Sequence, residues 1–310
     1  MIINNSDLPY SNKKRILTFA VPGGKVYISD YCRNTPGSFL NISITGDDCQ
    51  LQCSHCRGLL LKDMIPAGSS KRLVEITKEY LKSGNLKGML ISGGFDRSGK
   101  LAFASIIDGI KEIKTKYPYL TLYIHTGFLD RKEAAVLKSS GVDAVLTNLI
   151  KSQKAIEEVY NLNGRTYRDY TDTIKILKEY SLKVSPHIII GLENGELSDE
   201  FAMVEDAMGL KVDSIVFVIL KKASKNISFP SSKVSGEDII KLVAHARRLS
   251  PDTLLSLGCA KPPGKDRHLL EIELIKAGID AIAFPAEKTV EYAVENKIAH
   301  TFLEKCCAIL

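Results

Sequence analysis

Val184-Ser-Pro-His-Ile-Ile-Ile-Gly-Leu192 is an apolar run with almost no polar alternation. Strands buried on both faces read this way, as parallel strands covered by helices do. It is followed by the amphipathic stretch Glu200–Met208, a Gly at 209, and a second apolar run, Ser214–Leu220. That is one strand-helix-strand unit, closed by a helix-ending glycine.

The same unit recurs in both directions. Strands are predicted at Phe39–Thr45, Met89–Gly93, Leu120–Thr126, Ala144–Leu149, Val184–Leu192, Ser214–Leu220, Thr253–Gly258 and Ala281–Phe284. Helices are predicted at Arg72–Leu81, Ile106–Tyr117, Arg131–Ser139, Tyr170–Tyr180, Glu200–Met208, Asp238–Leu249, His268–Ala277 and Val290–Asn296. Eight such units suit an α/β fold of the (β/α)8 TIM type better than an open doubly wound sheet. Residues 1–35 form an N-terminal extension, 36–300 the barrel and 301–310 a short cysteine-bearing tail. Within the extension, Arg15–Ile28 reads as a β-hairpin turning at Gly23-Gly24 and capping the bottom of the barrel.

The chain has 310 residues, 45% apolar and 25% charged, an ordinary globular composition. Its net charge of +6 is too small, and its Lys and Arg too dispersed, for a nucleic-acid binder. It suits an anionic small molecule or an acidic partner protein. No apolar run reaches the roughly 18–20 residues of a membrane helix, and the N-terminus has no secretory pattern. A cytoplasmic location is expected, where seven cysteines point to metal or redox chemistry rather than disulfides.

Three of those cysteines follow the first barrel strand in Asn41-Ile-Ser-Ile-Thr-Gly-Asp-Asp-Cys49-Gln-Leu-Gln-Cys53-Ser-His-Cys56-Arg-Gly58. The spacing is Cys-x-x-x-Cys-x-x-Cys, on a loop at the C-terminal end of a barrel strand, where barrel enzymes carry their chemistry. Three soft thiolates select an iron–sulfur cluster or zinc. A structural zinc would want a fourth Cys or His, and His55, between two cysteines, is badly placed for it. A four-iron cluster held by Cys49, Cys53 and Cys56 leaves one iron open to a chelating small molecule.

The motif resembles the radical S-adenosylmethionine (SAM) enzymes. The resemblance implies a 4Fe-4S cluster whose open iron binds the methionine part of SAM, and a 5′-deoxyadenosyl radical that abstracts hydrogen. It further implies that His55 packs near the adenine and that Ser92-Gly93-Gly94 contacts the SAM amino group through its backbone. Phe95 stands where an acidic residue is usual. His125, Asn148, His187 and Gly191, at the ends of later strands, are the remaining cofactor-binding candidates.

Cys32, Cys259, Cys306 and Cys307 are left over. They read either as small buried hydrophobes or as ligands of a second, sulfide-donating cluster. Ile42-Ser-Ile-Thr-Gly-x-x-Cys-x-Leu-x-Cys-x-His-Cys-x-Gly58, Ser92-Gly-Gly94, His125-Thr-Gly127, Pro186-His-x-x-x-Gly-Leu192, Gly258-Cys259 and the Cys-Cys tail together resemble one group. This is the archaeal-type biotin synthase homologues that form one half of a two-protein lipoyl synthase. The resemblance implies octanoyl-lysine on a lipoyl-carrier protein as substrate, a second radical SAM subunit, and an electron donor such as ferredoxin or flavodoxin. Lys221, Lys222 and Lys225 are a candidate docking patch for an acidic carrier. The alternatives are another biotin-synthase-like reaction, either dethiobiotin thiolation or a carbon-skeleton rearrangement, and a non-catalytic zinc protein.

Overall fold

A computed structural model describes residues 15–261 and 264–308. Eleven strands form one sheet, and every pairing in it is parallel. In chain order they are β1 (Leu17–Ala20), β2 (Phe39–Ser43), β3 (Ile65–Pro66), β4 (Gly88–Ser92), β5 (Thr121–His125), β6 (Ala144–Asn148), β7 (Val184–Ile190), β8 (Ser214–Ile219), β9 (Leu254–Leu257), β10 (Ala281–Ala283) and β11 (His300–Leu303). Eight helices cover the outer face: α1 (Ser70–Leu81), α2 (Ile107–Lys116), α3 (Arg131–Ser140), α4 (Tyr167–Glu179), α5 (Glu200–Gly209), α6 (Gly236–Leu249), α7 (Arg267–Lys276) and α8 (Glu287–Glu295). All eight predicted strands and all eight predicted helices are present.

The barrel is split. Strand order runs β11-β1-β10-β9-β8-β7-β6-β5-β4-β2-β3, and the edge strands β11 and β3 are not paired to each other. The sheet nonetheless curls on itself. Phe39, Tyr123, Leu146, Val216 and Ala283, from five different strands, share one buried cluster in the lumen. Leu, Ile and Val on the opposite strand faces pack against the helices in a second, larger core.

The N-terminal stretch is not a hairpin. β1 lies inside the sheet, parallel to both β10 and β11. After β1 the chain runs into a loop pinned by Asn34, which is 2% exposed. Its carboxamide donates to the carbonyls of Val21 (3.0 Å) and Lys25 (2.7 Å) and accepts the Tyr27 N–H at 2.8 Å. Gly23 sits where a Cβ would lie 2.6 Å from the Ser38 nitrogen, so it serves a close chain approach rather than a turn between strands.

The tail is also more than an appendage. His300–Leu303 joins the sheet as β11, and Glu304 accepts the Thr35 N–H at 3.1 Å. Cys306, Cys307 and Ala308 then enter the lumen. The inward positions there are small: Ala20, Ala144 and Ala283 are fully buried. That leaves room for main chain where barrels are otherwise filled by side-chain layers. The Ser214 hydroxyl donates to the Ala308 carbonyl at 3.0 Å and pairs with the Ser185 hydroxyl at 2.6 Å.

Candidate active site

The cysteine loop leaves the C-terminal end of β2 and is held against the end of β4. Thr45 accepts the Gly94 N–H at 2.7 Å and donates to the Asp48 carbonyl at 2.9 Å. The Gln50 N–H donates to the Phe95 carbonyl at 2.9 Å. A Cβ on Gly94 would collide with the Asp48 carbonyl and the Cys49 backbone. The second glycine of Ser92-Gly93-Gly94 therefore lets the cysteine loop approach the sheet.

Cys53 and Cys56 are buried and their thiols are hydrogen-bonded to each other. Cys53 keeps its proton, its pKa driven up by that bond, by burial and by the charges of Cys56 and Cys49. Cys56 accepts from Cys53 and His55 and is driven down, to the thiolate side. The ligand atoms of Cys53, His55 and Cys56 all lie within 4.8 Å of one another, so His55 is closer to the thiols than its place between two cysteines suggests. Cys49 stands further off, packed over Gly58 and Gly94. His55 itself lies against Tyr160 (5.1 Å between ring centroids) and Phe229 (6.2 Å). Both aromatics sit on irregular segments far from the motif, and no sequence pattern marks them.

The strand ends opposite supply a second group. His125 on β5 and His187 on β7 meet edge to face at 5.3 Å, with Phe95 6.1 Å from His125. Asn148 on β6 is hydrogen-bonded to His125, and the Thr147 carbonyl to His187. Burial pushes His125 down to about 4; burial and the His125 charge push His187 down to about 3. Both imidazoles are therefore neutral at physiological pH. The His187 Nδ1 and the Thr126 hydroxyl are buried without a protein partner. A narrow cavity lined by Leu51, Phe95, Thr126, Thr147, Asn148 and Tyr160 joins this group to the cysteine loop. The Ser92 carbonyl accepts the Ile44 N–H at 2.8 Å. Gly191 gives its N–H to Glu200 at 2.8 Å and is packed under Ser232, which makes it a structural turn.

Of the spare cysteines, three meet. Cys259, just beyond β9, is hydrogen-bonded through its thiol to Cys307, and Cys307 to Cys306. Cys32 stands apart on the N-terminal loop, where the charges acting on its thiol are Glu304 and Lys87.

The sequence profile of the radical SAM superfamily matches residues 43–207, more than half of the chain. The chain belongs to the radical SAM superfamily. Among curated relatives, a biotin synthase of Rhodopirellula baltica is 29% identical over 164 residues, 53% of this chain and 44% of that protein. A biotin synthase of a Sulfurihydrogenibium species is 26% identical over 237 residues, 74% of this chain and 67% of that protein. The matched stretch thus spans under half of the first relative's length and two thirds of the second's. Among the solved structures that share the fold are two enzymes. Methylornithine synthase matches with a TM-score of 0.56 at 13% identity, over 84% of this chain and 72% of that one. The FeFe-hydrogenase maturase of Carboxydothermus hydrogenoformans matches with 0.61 at 17% identity, over 93% and 68%.

The family implies a 4Fe-4S cluster and SAM, and the residues present fit them. Three cysteines on one loop, one of them already favouring thiolate, are a soft donor set for iron. The unpartnered Thr126 hydroxyl lines the cavity that reaches Leu51 of the cysteine loop, a polar group left for a bound ligand to satisfy. Among the described residues no helix is long and apolar enough to cross a membrane.

Proposed function

We propose that this chain is a radical SAM sulfurtransferase, one subunit of a lipoyl synthase that inserts sulfur into octanoyl-lysine on a carrier protein. The observation that carries this reading is the meeting of Cys259, Cys306 and Cys307. The Cys307 thiol bonds that of Cys259 and the Cys306 thiol bonds that of Cys307, so the tail lines two thiols up behind the one beyond β9.

Cys49, Cys53 and Cys56 would hold the SAM cluster, which with SAM supplies the 5′-deoxyadenosyl radical. Cys259, Cys306 and Cys307 would hold a second cluster that gives up sulfide, its fourth corner left to a group other than Cys32, which stands apart. His55, tilted 45° to Tyr160 and set edge-on to Phe229, would offer its own ring face to the adenine. Neutral His125 and His187, with Asn148, offer hydrogen-bonding groups that do not compete for protons.

The partners follow from the same reading. Lys221, Lys222 and Lys225 are exposed and take part in no ion pair among the described residues, which suits docking of an acidic carrier protein. A second radical SAM subunit would share the two thiolations. A ferredoxin or flavodoxin would supply electrons, and the location would be cytoplasmic.

Anaerobic protein is reconstituted with iron and sulfide, then given SAM, reductant and either an octanoylated carrier or dethiobiotin. Thiolated octanoyl-lysine, formed alone or with a second subunit, supports the proposal. Biotin formation instead would select the alternative, which the biotin synthases among the relatives favour. Protein that binds zinc and forms no 5′-deoxyadenosine would overturn both.

A further inference from the structure

The cysteine loop is gripped on its far side by the segment that follows β6. Ala155–Val159 forms a π-helical turn, a rare geometry that recurs at functional sites. The Val159 carbonyl accepts the Ser54 N–H at 2.8 Å. Tyr160, next in the chain, is buried with its ring against His55. Asn161 follows at φ 55°, a left-handed conformation that Asn tolerates better than most residues. This turn aims the Asn161 carboxamide at the loop, where it donates to the Leu51 carbonyl at 2.6 Å and the Gln52 carbonyl at 3.2 Å.

Three consecutive residues therefore contact Leu51, Gln52, Ser54 and His55, on both sides of Cys53. Gln52 is itself left-handed, at φ 46°. Such strain persists only where the surroundings over-determine it. The bonds to Thr45 and Phe95 secure the Cys49 end of the loop, and those to Val159 and Asn161 secure the Cys53 end.

We infer that Asn161 is a positioning residue for the cluster-binding loop. Its carboxamide holds the Leu51 and Gln52 carbonyls so that Cys53 is presented to the metal site before any cluster is loaded. The side chain acts through the loop backbone. The role depends on its N–H donors, not on its volume.

Two variants separate these contributions. Asn161→Asp is isosteric but offers no donor. Asn161→Gly keeps access to the left-handed turn and removes the carboxamide. In the metal-free protein, amide hydrogen exchange at Gln52–Ser54 should speed up in both variants, with the thermal midpoint unchanged to within a few degrees. After reconstitution, iron loss to a chelator should be about tenfold faster in both, the scale of a lost outer-shell contact. The EPR signal of the reduced cluster should change in both variants. Wild-type exchange, iron retention and EPR signal in Asn161→Asp would overturn the inference. So would collapse of the metal-free fold in both variants, since Asn161 would then serve the fold at large.

Discussion

Cys307 of the tail is hydrogen-bonded through its thiol to Cys259, just beyond β9. A segment from the end of the described chain thus reaches through the lumen to the side of the barrel where the loops carry the chemistry. If the trio holds a second cluster, Cys259→Ser and Cys307→Ser should each lower reconstituted iron from about eight to about four per chain. Formation of 5′-deoxyadenosine should persist while thiolated product is lost. Eight irons in both variants would remove the second cluster from the proposal.

The His125–His187 pair makes stability depend on pH. Both folded-state pKa values lie below the ordinary 6.5 of histidine, at about 4 and about 3. The unfolded chain therefore binds more protons between pH 6.5 and those values, and the fold loses stability as pH falls through that window. Above pH 6.5 the pair contributes no pH dependence. The loss between pH 7 and pH 5 should shrink by about 1–2 kcal/mol in His187→Gln. Urea midpoints at the two pH values measure it; an unchanged difference would mean that His187 protonates freely in the fold.

Gly94→Ala should damage the cysteine loop. The new methyl meets the Asp48 carbonyl and the Cys49 backbone, neither of which can turn aside as a flexible side chain would. A cost of about 3 kcal/mol is expected, the upper end for overpacking, with loss of iron binding. Gly209→Ala is the control, because nothing lies within 4 Å of the added carbon at the end of α5. It should stabilise by about 0.5–1 kcal/mol. Denaturant midpoints and iron content decide both.

Arg247 is fully buried under the start of β10. It donates to the carbonyls of Gly278, Ser250, Pro251 and Thr253 and is ion-paired with Asp280. Arg247→Leu leaves that carboxylate with Arg15 and the Leu255 N–H and strands four carbonyls. The expected loss is about 3–5 kcal/mol in a chemical melt. Radical chemistry per folded molecule should be unaffected, because the residue lies at the opposite end of the strands from the cysteine loop.

Most of the barrel was legible in local chemistry. The run at Val184–Leu192 became β7 over Val184–Ile190, and Ala144–Leu149 became β6 over Ala144–Asn148. A strand buried on both faces carries its own apolar signature. β1 was misread because Leu17-Thr-Phe-Ala-Val-Pro-Gly-Gly24 has the same composition in a hairpin or in a parallel sheet. Its real partners, β10 and β11, lie at the far end of the chain. β3 and β11 are short and half-exposed, so they lack the run that marks the others.

Spacing along the chain determined the cysteine motif and the alternation of strand and helix, because both depend on neighbours a few residues apart. Curling of the sheet decided what those motifs face. It set His125 beside His187, brought Tyr160 and Phe229 to His55, carried Cys307 to Cys259, and left Cys32 outside. These pairings join residues many positions apart, and long-range contacts of that kind follow from strand register and lumen volume, which no local pattern encodes.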